Sequence, residues 1–282
     1  MRIGFIGAGK VGFTLGKYFS KHGKEVIGYY SRNTQSAEEA AEFTKTKAFD
    51  KLEDIVKSSD VLFLTVPDGS ITEVYREVVR YPVRDKFICH CSGAQTAAAA
   101  FPEIREYGAF GYSVHPLFAV SSKHKAYKEL ADVFFALEGD YEHMPDMEGL
   151  MKSAWLKYQR IDSADKIGYH CGATVASNLV IGLVKESVDI FERCGFTRED
   201  ALSALAPLIR GNIQHVLEDG MEKSLTGALE RGDKGTLEKH IDWYNDEDSK
   251  QLYKLLSQRI LPIAKAKHPE RSYEDIEKLI TE

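Results

Sequence analysis

The stretch Gly4–Gly12, GFIGAGKVG, decides how the rest of the chain is read. Gly7, Ala8, Gly9, Lys10, Val11 and Gly12 fit the spacing G-x-G-x-x-G, which is a weak signal alone. Here the apolar run RIGFI precedes it and the helix-spaced segment KVGFTLGKYFSKHG follows, and that context gives the pattern its meaning. Gly7 permits a tight turn, Gly9 lets a pyrophosphate approach the backbone, and Gly12 lets the helix pack on the strand. Free N–H groups at the helix start, aided by its dipole, favour phosphate. The other reading is a Gly-rich turn without a ligand; the context favours a dinucleotide.

Outward from that turn, the first half alternates. Strand-like runs at RIGFIGAG, KEVIGYYSR, AFD, DVLFLTVP and KFICHCSG are separated by helix-spaced segments at TQSAEEAAEFTK, KLEDIVKSS and SITEVYREVVR. Near-continuous apolar strands divided by helices are expected of a parallel sheet covered on both faces. Right-handed crossovers then give an α/β, doubly wound sheet that binds ligands at the carboxyl ends of its strands. GAFGYSVHPL and VFFALEGD add two further strands. From about residue 144 the texture changes, and helical segments such as TREDALSALAPLIRGNIQHVLEDG, capped at Thr197, run to the end. The expected division is residues 1–160 for the sheet domain and 161–282 for an all-helical one.

The end of the second strand selects the cofactor. An acidic residue there would accept hydrogen bonds from the ribose hydroxyls of NAD. VIGYYSRN ends instead on Ser31, Arg32 and Asn33. Arg32 suits a bidentate pair with a 2′-phosphate and Ser31 a further hydrogen bond, so NADP (NADPH) is expected over NAD. A solvated turn arginine is the alternative. Val66, Pro67 and Asp68 of TVPDGSI end another strand, either over the cofactor's ribose and pyrophosphate or as an ordinary strand-to-helix loop. HCSGA places Ser92 and Gly93 at the nicotinamide end, and SVHPL places His115 at a neighbouring strand end, facing the cleft or satisfied within the fold. Cys89 and Cys91 share a strand face without a second ligand pair, so core packing is expected there and no metal.

In DKIGYHCGATVASNLVIGLV, the residues Lys166, His170, Thr174 and Asn178 recur every four positions, which aligns them on one stripe of a long helix reaching about Gly195. Val175, Leu179, Ile181, Leu183 and Val184 flank the stripe. Each buried unpaired polar group costs on the order of 1–3 kcal/mol, so the row needs partners. A substrate cleft, an interhelical hydrogen-bond network, and exposure of the first turn at Lys166 all remain open.

Bulk numbers narrow the class. A chain of 282 residues, 43% hydrophobic and 28% charged, suits two globular domains. A net charge of −6 gives no reason to expect nucleic acid as a partner. No apolar run is expected to approach the roughly 20 residues of a membrane span, and the strand beginning at Arg2 leaves no room for a secretory signal. Four cysteines within apolar segments suit a reducing cytoplasm.

Together GFIGAGKVG, YSR, VPDGSI, CSGA, HPL, FALEGD, YHCGATVASN and LTGALERGD resemble the 6-phosphogluconate-dehydrogenase-like superfamily. That group includes β-hydroxyacid dehydrogenases, ketopantoate reductases and pyrroline-5-carboxylate reductases. More closely, the chain is similar to Rossmann-like proteins with a dedicated C-terminal domain of unknown function, labelled NADP oxidoreductases. The resemblance implies a Rossmann-type NADP-binding domain followed by a helical substrate and dimerisation domain, and so a homodimer. Asn178 matches an asparagine of the hydroxyacid dehydrogenases, but their catalytic lysine falls at Thr174, which is no comparable proton donor. His170 is therefore the first choice of acid and Lys166 the second. In LTGALERGD, Thr226, Arg231 and Asp233 are implied near the substrate, with Arg231 suited to a carboxylate or to a salt bridge with Asp233. The expected reaction is NADPH-dependent reduction of a small oxo compound, such as a 2-oxo acid of the ketopantoate kind. Ser92, His115, Thr174 and Arg231 would contact the substrate, Asn178 would orient its carbonyl oxygen and His170 would protonate it. An imine reductase of the pyrroline-5-carboxylate type and a non-catalytic NADPH-binding sensor are the alternatives.

Overall fold

The protein, here a computed structural model describing residues 1–282, opens with β1 (Arg2–Ile6), α1 (Lys10–Lys21), β2 (Glu25–Tyr30), α2 (Thr34–Thr44), β3 (Lys47–Ala48), α3 (Leu52–Ser58) and β4 (Val61–Leu64). Then come α4 (Ile71–Val78), β5 (Phe87–His90), α5 (Ala97–Ala100), β6 (Phe110–Pro116), β7 (Phe134–Gly139), α6 (Met144–Ser153), β8 (Lys157–Arg160) and α7 (Lys166–Ala176). The remaining helices are α8 (Asn178–Arg193), α9 (Arg198–Asp219), α10 (Met221–Ser224), α11 (Ala228–Arg231), α12 (Lys234–Trp243), α13 (Glu247–Lys267) and α14 (Glu274–Thr281). Two compact units result, Met1–Ala176 and Ser177–Glu282. Texture alone suggests a division after residue 160; α7 joins the first unit because its Lys166 is tied beneath the sheet through Ser113.

The eight strands lie in the order β3-β2-β1-β4-β5-β6-β7-β8. Apolar residues of β4 alternate between two cores: Val61 and Phe63 face one, Leu62 and Leu64 the other. Both faces are thus covered, which is why the strands read as unbroken apolar runs. Phe5 stacks between Tyr29 and Phe63, with ring centroids 5.2 and 5.4 Å away. The sheet is not wholly parallel, as the alternation had implied: β7 runs antiparallel to β6, and β8 pairs parallel with β7. No α-helix lies between β6 and β7 to carry the chain back for a parallel crossover. Strand β8, KYQR, has no apolar alternation to announce it; such polarity is usual at a sheet edge.

The turn after β1 is held by close contact with the end of β4. Gly7 has φ +101°, and a Cβ there would stand 2.6 Å from the Thr65 carbonyl oxygen. A Cβ on Gly12 would stand 2.6 Å from Thr65 Oγ1. The two turns diverge at β1 and β4, where strand order reverses, which is the crevice that doubly wound sheets use for ligands.

The long helix departs from expectation twice. It breaks at Ser177 (φ −123°, ψ −80°), so Lys166 to Asn178 is not one continuous stripe. Serine and asparagine side chains compete with helical backbone bonding, and here Ser177 Oγ donates to Asn178 Oδ1 at 3.1 Å. Its burial is also reversed: Lys166 is fully buried, whereas Val175 is 53% and Ile181 69% exposed. Within the helical run Ser163–Arg193, an 18-residue stretch has a mean hydropathy of 1.4, so the run is, by length and composition, apolar enough to cross a membrane, contrary to the expectation that no such run exists.

In the second unit, Thr197, Asp233 and Asp246 cap α9, α12 and α13 through their side chains. Leu229, Leu237, Leu261, Ala264, Tyr273, Ile276 and Ile280 form one core, and Val188, Ala201 and Leu205 a smaller one. Gly7→Ala is expected to destabilise the protein by about 1–3 kcal/mol, through left-handed strain and overlap with the Thr65 backbone. Thermal unfolding followed by circular dichroism should therefore show a midpoint several degrees lower than wild type.

Candidate active site

A cavity of about 400 Å³ opens at the β1–β4 crevice. Gly7, Ala8 and Gly9 of the first turn, Ser31, Arg32 and Asn33 after β2, and Val66 and Pro67 after β4 line it. Helix α1 starts at Gly9 without a side-chain cap, so its first-turn N–H groups are available to an anion. A Cβ on Gly9 would meet nothing closer than 3.8 Å, which leaves the backbone open to a ligand. Ser31 Oγ accepts from the Asn33 N–H at 3.3 Å and retains its own proton to donate. These are the features a dinucleotide phosphate requires, and the residues present fit one.

Ser36, Glu73, Glu77 and Lys123 also line the cavity. Lys123 comes from the long connection between β6 and β7, ion-pairs with Glu39 at 3.2 Å and lies over the Phe13 ring. No motif marks it, because its place depends on a fold-back across α1.

Farther along the same sheet edge, the loop after β5 is knotted by hydrogen bonds. Ser92 Oγ donates to Asp68 Oδ2 at 2.6 Å and accepts from the N–H groups of Ala94 and Gln95. His90 Nδ1 accepts from the Ser92 N–H at 3.1 Å, and burial pushes this imidazole down to about 3, so it stays neutral. Two more imidazoles cover Gly93. A Cβ there would stand 2.5 Å from His170 Nδ1 and 2.8 Å from His115 Nε2. His170 Nδ1 is buried without a hydrogen-bond partner. His115 Nδ1 pairs with the Tyr169 hydroxyl at 2.9 Å. Burial, reinforced by the Lys166 charge and by His170, pushes His115 down to about 4.

Beneath them, the Lys166 ammonium donates to Ser113 Oγ, which donates to the Ser92 carbonyl at 3.2 Å. Burial lowers Lys166 to about 8, against the pull of Glu138, Cys91 and Asp68. Glu138, buried as well, accepts from Ser163 Oγ at 2.6 Å and from the Ala97 N–H at 2.8 Å.

The structure therefore brings Asp68, Ser92, Gly93, His115, Lys166 and His170 together in the first unit. It places them differently from the simple stripe. Lys166 is sealed from solvent rather than exposed at a first turn, and it reaches the loop only through Ser113. The Ser92 hydroxyl is spent on Asp68 and its own loop. Thr174 Oγ1 donates back to the His170 carbonyl at 3.0 Å. Lys10, Val11 and Gly12 form the first turn of α1 behind the cavity. Asn178 and Arg231 lie in the second unit, Asn178 exposed. The Arg231–Asp233 salt bridge left open by the sequence does not form: Asp233 instead caps Thr236 through N–H and hydroxyl bonds of 3.1 and 2.7 Å. Glu230 of the same motif is a structural hub, with its carboxylate against His268 and its carbonyl accepting from Arg271 and Tyr273. Tyr169 and His90, which sequence reasoning did not single out, carry no local spacing that would have flagged them.

Sheet order, glycine turn and cavity define a Rossmann-type α/β domain, followed by a helical domain. Residues 2–92 match the family described as NADP oxidoreductase, coenzyme F420-dependent, and residues 133–260 match a domain of unknown function, DUF2520. The chain thus joins an NADP-oxidoreductase-type Rossmann domain to a DUF2520 helical domain. Among solved structures it is similar to the protein TM1727 from Thermotoga maritima, at 25% identity and a TM-score of 0.75, over 94% of this chain and 99% of that one. An NADH-preferring ketol-acid reductoisomerase from an uncultured archaeon matches at 14% identity and TM-score 0.68, covering 99% of this chain and 86% of the other. Plasmodium falciparum pyrroline carboxylate reductase with NADP bound matches at 13% and 0.56, over 94% and 98%. The last two share the fold alone. No curated protein matches the chain in sequence.

The lowered Lys166 sets a pH signature. In the folded state it holds its proton less tightly than the 10.5 of an unfolded lysine, so burying the charge disfavours folding below pH 8. The contribution of Lys166 to stability is expected to rise between pH 8 and 10.5, by on the order of 3 kcal/mol. Denaturant titrations across that range should show wild type gaining stability relative to Lys166→Met by about that amount. His115 acts at the acid end, where the stability of a neutral buried imidazole is lost as pH falls from 6.5 through 4.

Proposed function

We propose that the protein is an NADPH-dependent reductase of a small oxo compound, with a 2-oxo acid of the ketopantoate kind as the leading substrate class. The observation that carries this reading is the pairing of a phosphate-ready cavity, rimmed by Arg32, with imidazoles gathered over Gly93 at the same carboxyl edge of the sheet. Gly7–Gly12, Ser31 and Arg32 would hold the adenosine and pyrophosphate portion, and the Ser92–Gly93 loop the nicotinamide portion. When bound, NADPH supplies the hydride. His170 gives the proton that completes the alcohol, and its unpartnered Nδ1 marks it as the group with unused hydrogen-bonding capacity. Lys166 acts from beneath, holding Ser113 against the loop. Asn178, as orienting group, rests on the resemblance to hydroxyacid dehydrogenases, and Arg231, as carboxylate partner, on the LTGALERGD motif and the fit of a guanidinium to a carboxylate.

A second reading, reduction of a cyclic imine, is favoured by the exposed Asp68 carboxylate beside Ser92, which suits a cationic iminium better than an acid. In either case we place the protein in a reducing cytoplasm, where its four free cysteines persist.

Calorimetry with NADPH and NADH, then NADPH oxidation with panels of oxo acids and cyclic imines, tests the proposal. Arg32→Ala should weaken NADPH binding about 10- to 100-fold and change NADH binding little. His170→Ala should slow turnover about a hundredfold or more. Full rates in both His170→Ala and Asn178→Ala would refute their roles, and tight NADPH binding without any turnover would favour a sensor.

We further propose a homodimer through the helical unit. Leu179, Ile181, Leu202, Leu208, Ile213 and Leu217 of α8 and α9 are all exposed, and gathered apolar surface of this kind marks protein–protein contact sites. Light scattering should give twice the monomer mass for wild type and the monomer mass for Leu208→Asp with Leu217→Asp.

A further inference from the structure

Tyr169 is a residue that neither the motifs nor the resemblance assigns. It precedes His170 on α7, and its ring meets His115 edge to face at an interplanar angle of 85°. Its hydroxyl lies 2.9 Å from His115 Nδ1, its one hydrogen-bond partner. The opposite nitrogen, Nε2, lies over Gly93. A neutral imidazole has one nitrogen that accepts and one that donates, and the hydroxyl has no competing acceptor for its proton. Donation from Tyr169 to Nδ1 leaves the hydrogen of His115 on Nε2.

We propose that Tyr169 is a positioning residue that fixes His115 as an Nε2–H hydrogen-bond donor toward the reacting oxygen of the substrate at the Gly93 loop. The identity of that oxygen rests on the reductase reading; the tautomer does not. The groups around the His115 ring agree with an uncharged donor. Lys166 and His170 on α7 disfavour a cation there, burial does so more strongly, and Asp68 from the β4–α4 turn is the one opposing charge. A ring already neutral at pH 7 has no proton to lose to the product, yet its N–H can stabilise negative charge that grows on a carbonyl oxygen as hydride arrives. The division of labour follows: His115 holds the oxygen and His170 supplies the proton. Gly93 leaves room for both rings, because any side chain there would strike both nitrogens.

Nitrogen NMR of full-length protein carrying ring-labelled histidine tests this at pH 7 without a substrate, with His115→Asn used to assign the signal. Wild type should show His115 with unprotonated Nδ1 and protonated Nε2, and Tyr169→Phe should move it toward the other tautomer while NADPH affinity stays within about twofold. A wild-type His115 that carries its proton on Nδ1, or that is an imidazolium, overturns the proposal, whatever Tyr169→Phe does to folding. So does a wild-type tautomer that persists in folded Tyr169→Phe. Where the substrate panel yields turnover, Tyr169→Phe should lower kcat about tenfold with little change in KM. Lack of turnover on every substrate would remove the reductase reading and leave the NMR result standing.

Discussion

Thr65 holds the first unit in working order. Its Oγ1 donates to the Gly7 carbonyl at 2.8 Å, while its own carbonyl and hydroxyl crowd the positions where side chains on Gly7 and Gly12 would stand. One residue at the end of β4 thereby clamps the β1 turn and the start of α1. Strand order reverses between β1 and β4, so the clamp holds the floor of the crevice where the cavity opens. Gly7 and Gly12 matter because the backbone and hydroxyl of Thr65 come so close that nothing larger fits, whereas Gly9 leaves its backbone open.

A second constraint is electrostatic. Burying the Lys166 ammonium is unfavourable, and Glu138 only partly compensates. Burial, reinforced by that charge, lowers the proton affinity of both His90 and His115, so that each stays neutral. His90 can then accept from the Ser92 N–H, and His115 can accept from Tyr169. A buried cation thus adds to the effect of burial in keeping the imidazoles that line the loop uncharged. Sites often carry such locally unfavourable arrangements, stabilised by the surrounding fold.

The helical unit shows a different balance. Its second half is well packed around Leu229, Leu261 and Tyr273, with Glu230 bonding three side chains from the chain's end. Its first half has only a three-residue core and leaves large aliphatic side chains in solvent. The LTGALERGD motif, whose polarity suggests chemistry, serves in large part to join α11 and α12 to that better-packed half.

By itself the sequence determined the glycine turn, the alternating elements of the doubly wound sheet, the absence of a carboxylate after β2 and the helical character of the second half. Each of these is encoded locally, in spacing, strand composition or turn chemistry, and so can be read along the chain. Tertiary structure alone decided that β7 reverses direction, that Lys166 is buried while its apolar neighbours are exposed, that Lys123 reaches the cavity and that Tyr169 meets His115. Those facts depend on contacts between residues far apart in sequence, as with the 53 positions from Ser113 to Lys166 and the 54 from His115 to Tyr169. A helical period shows which residues share a stripe, but the partner that packs against the stripe decides whether it is sealed, wet or functional.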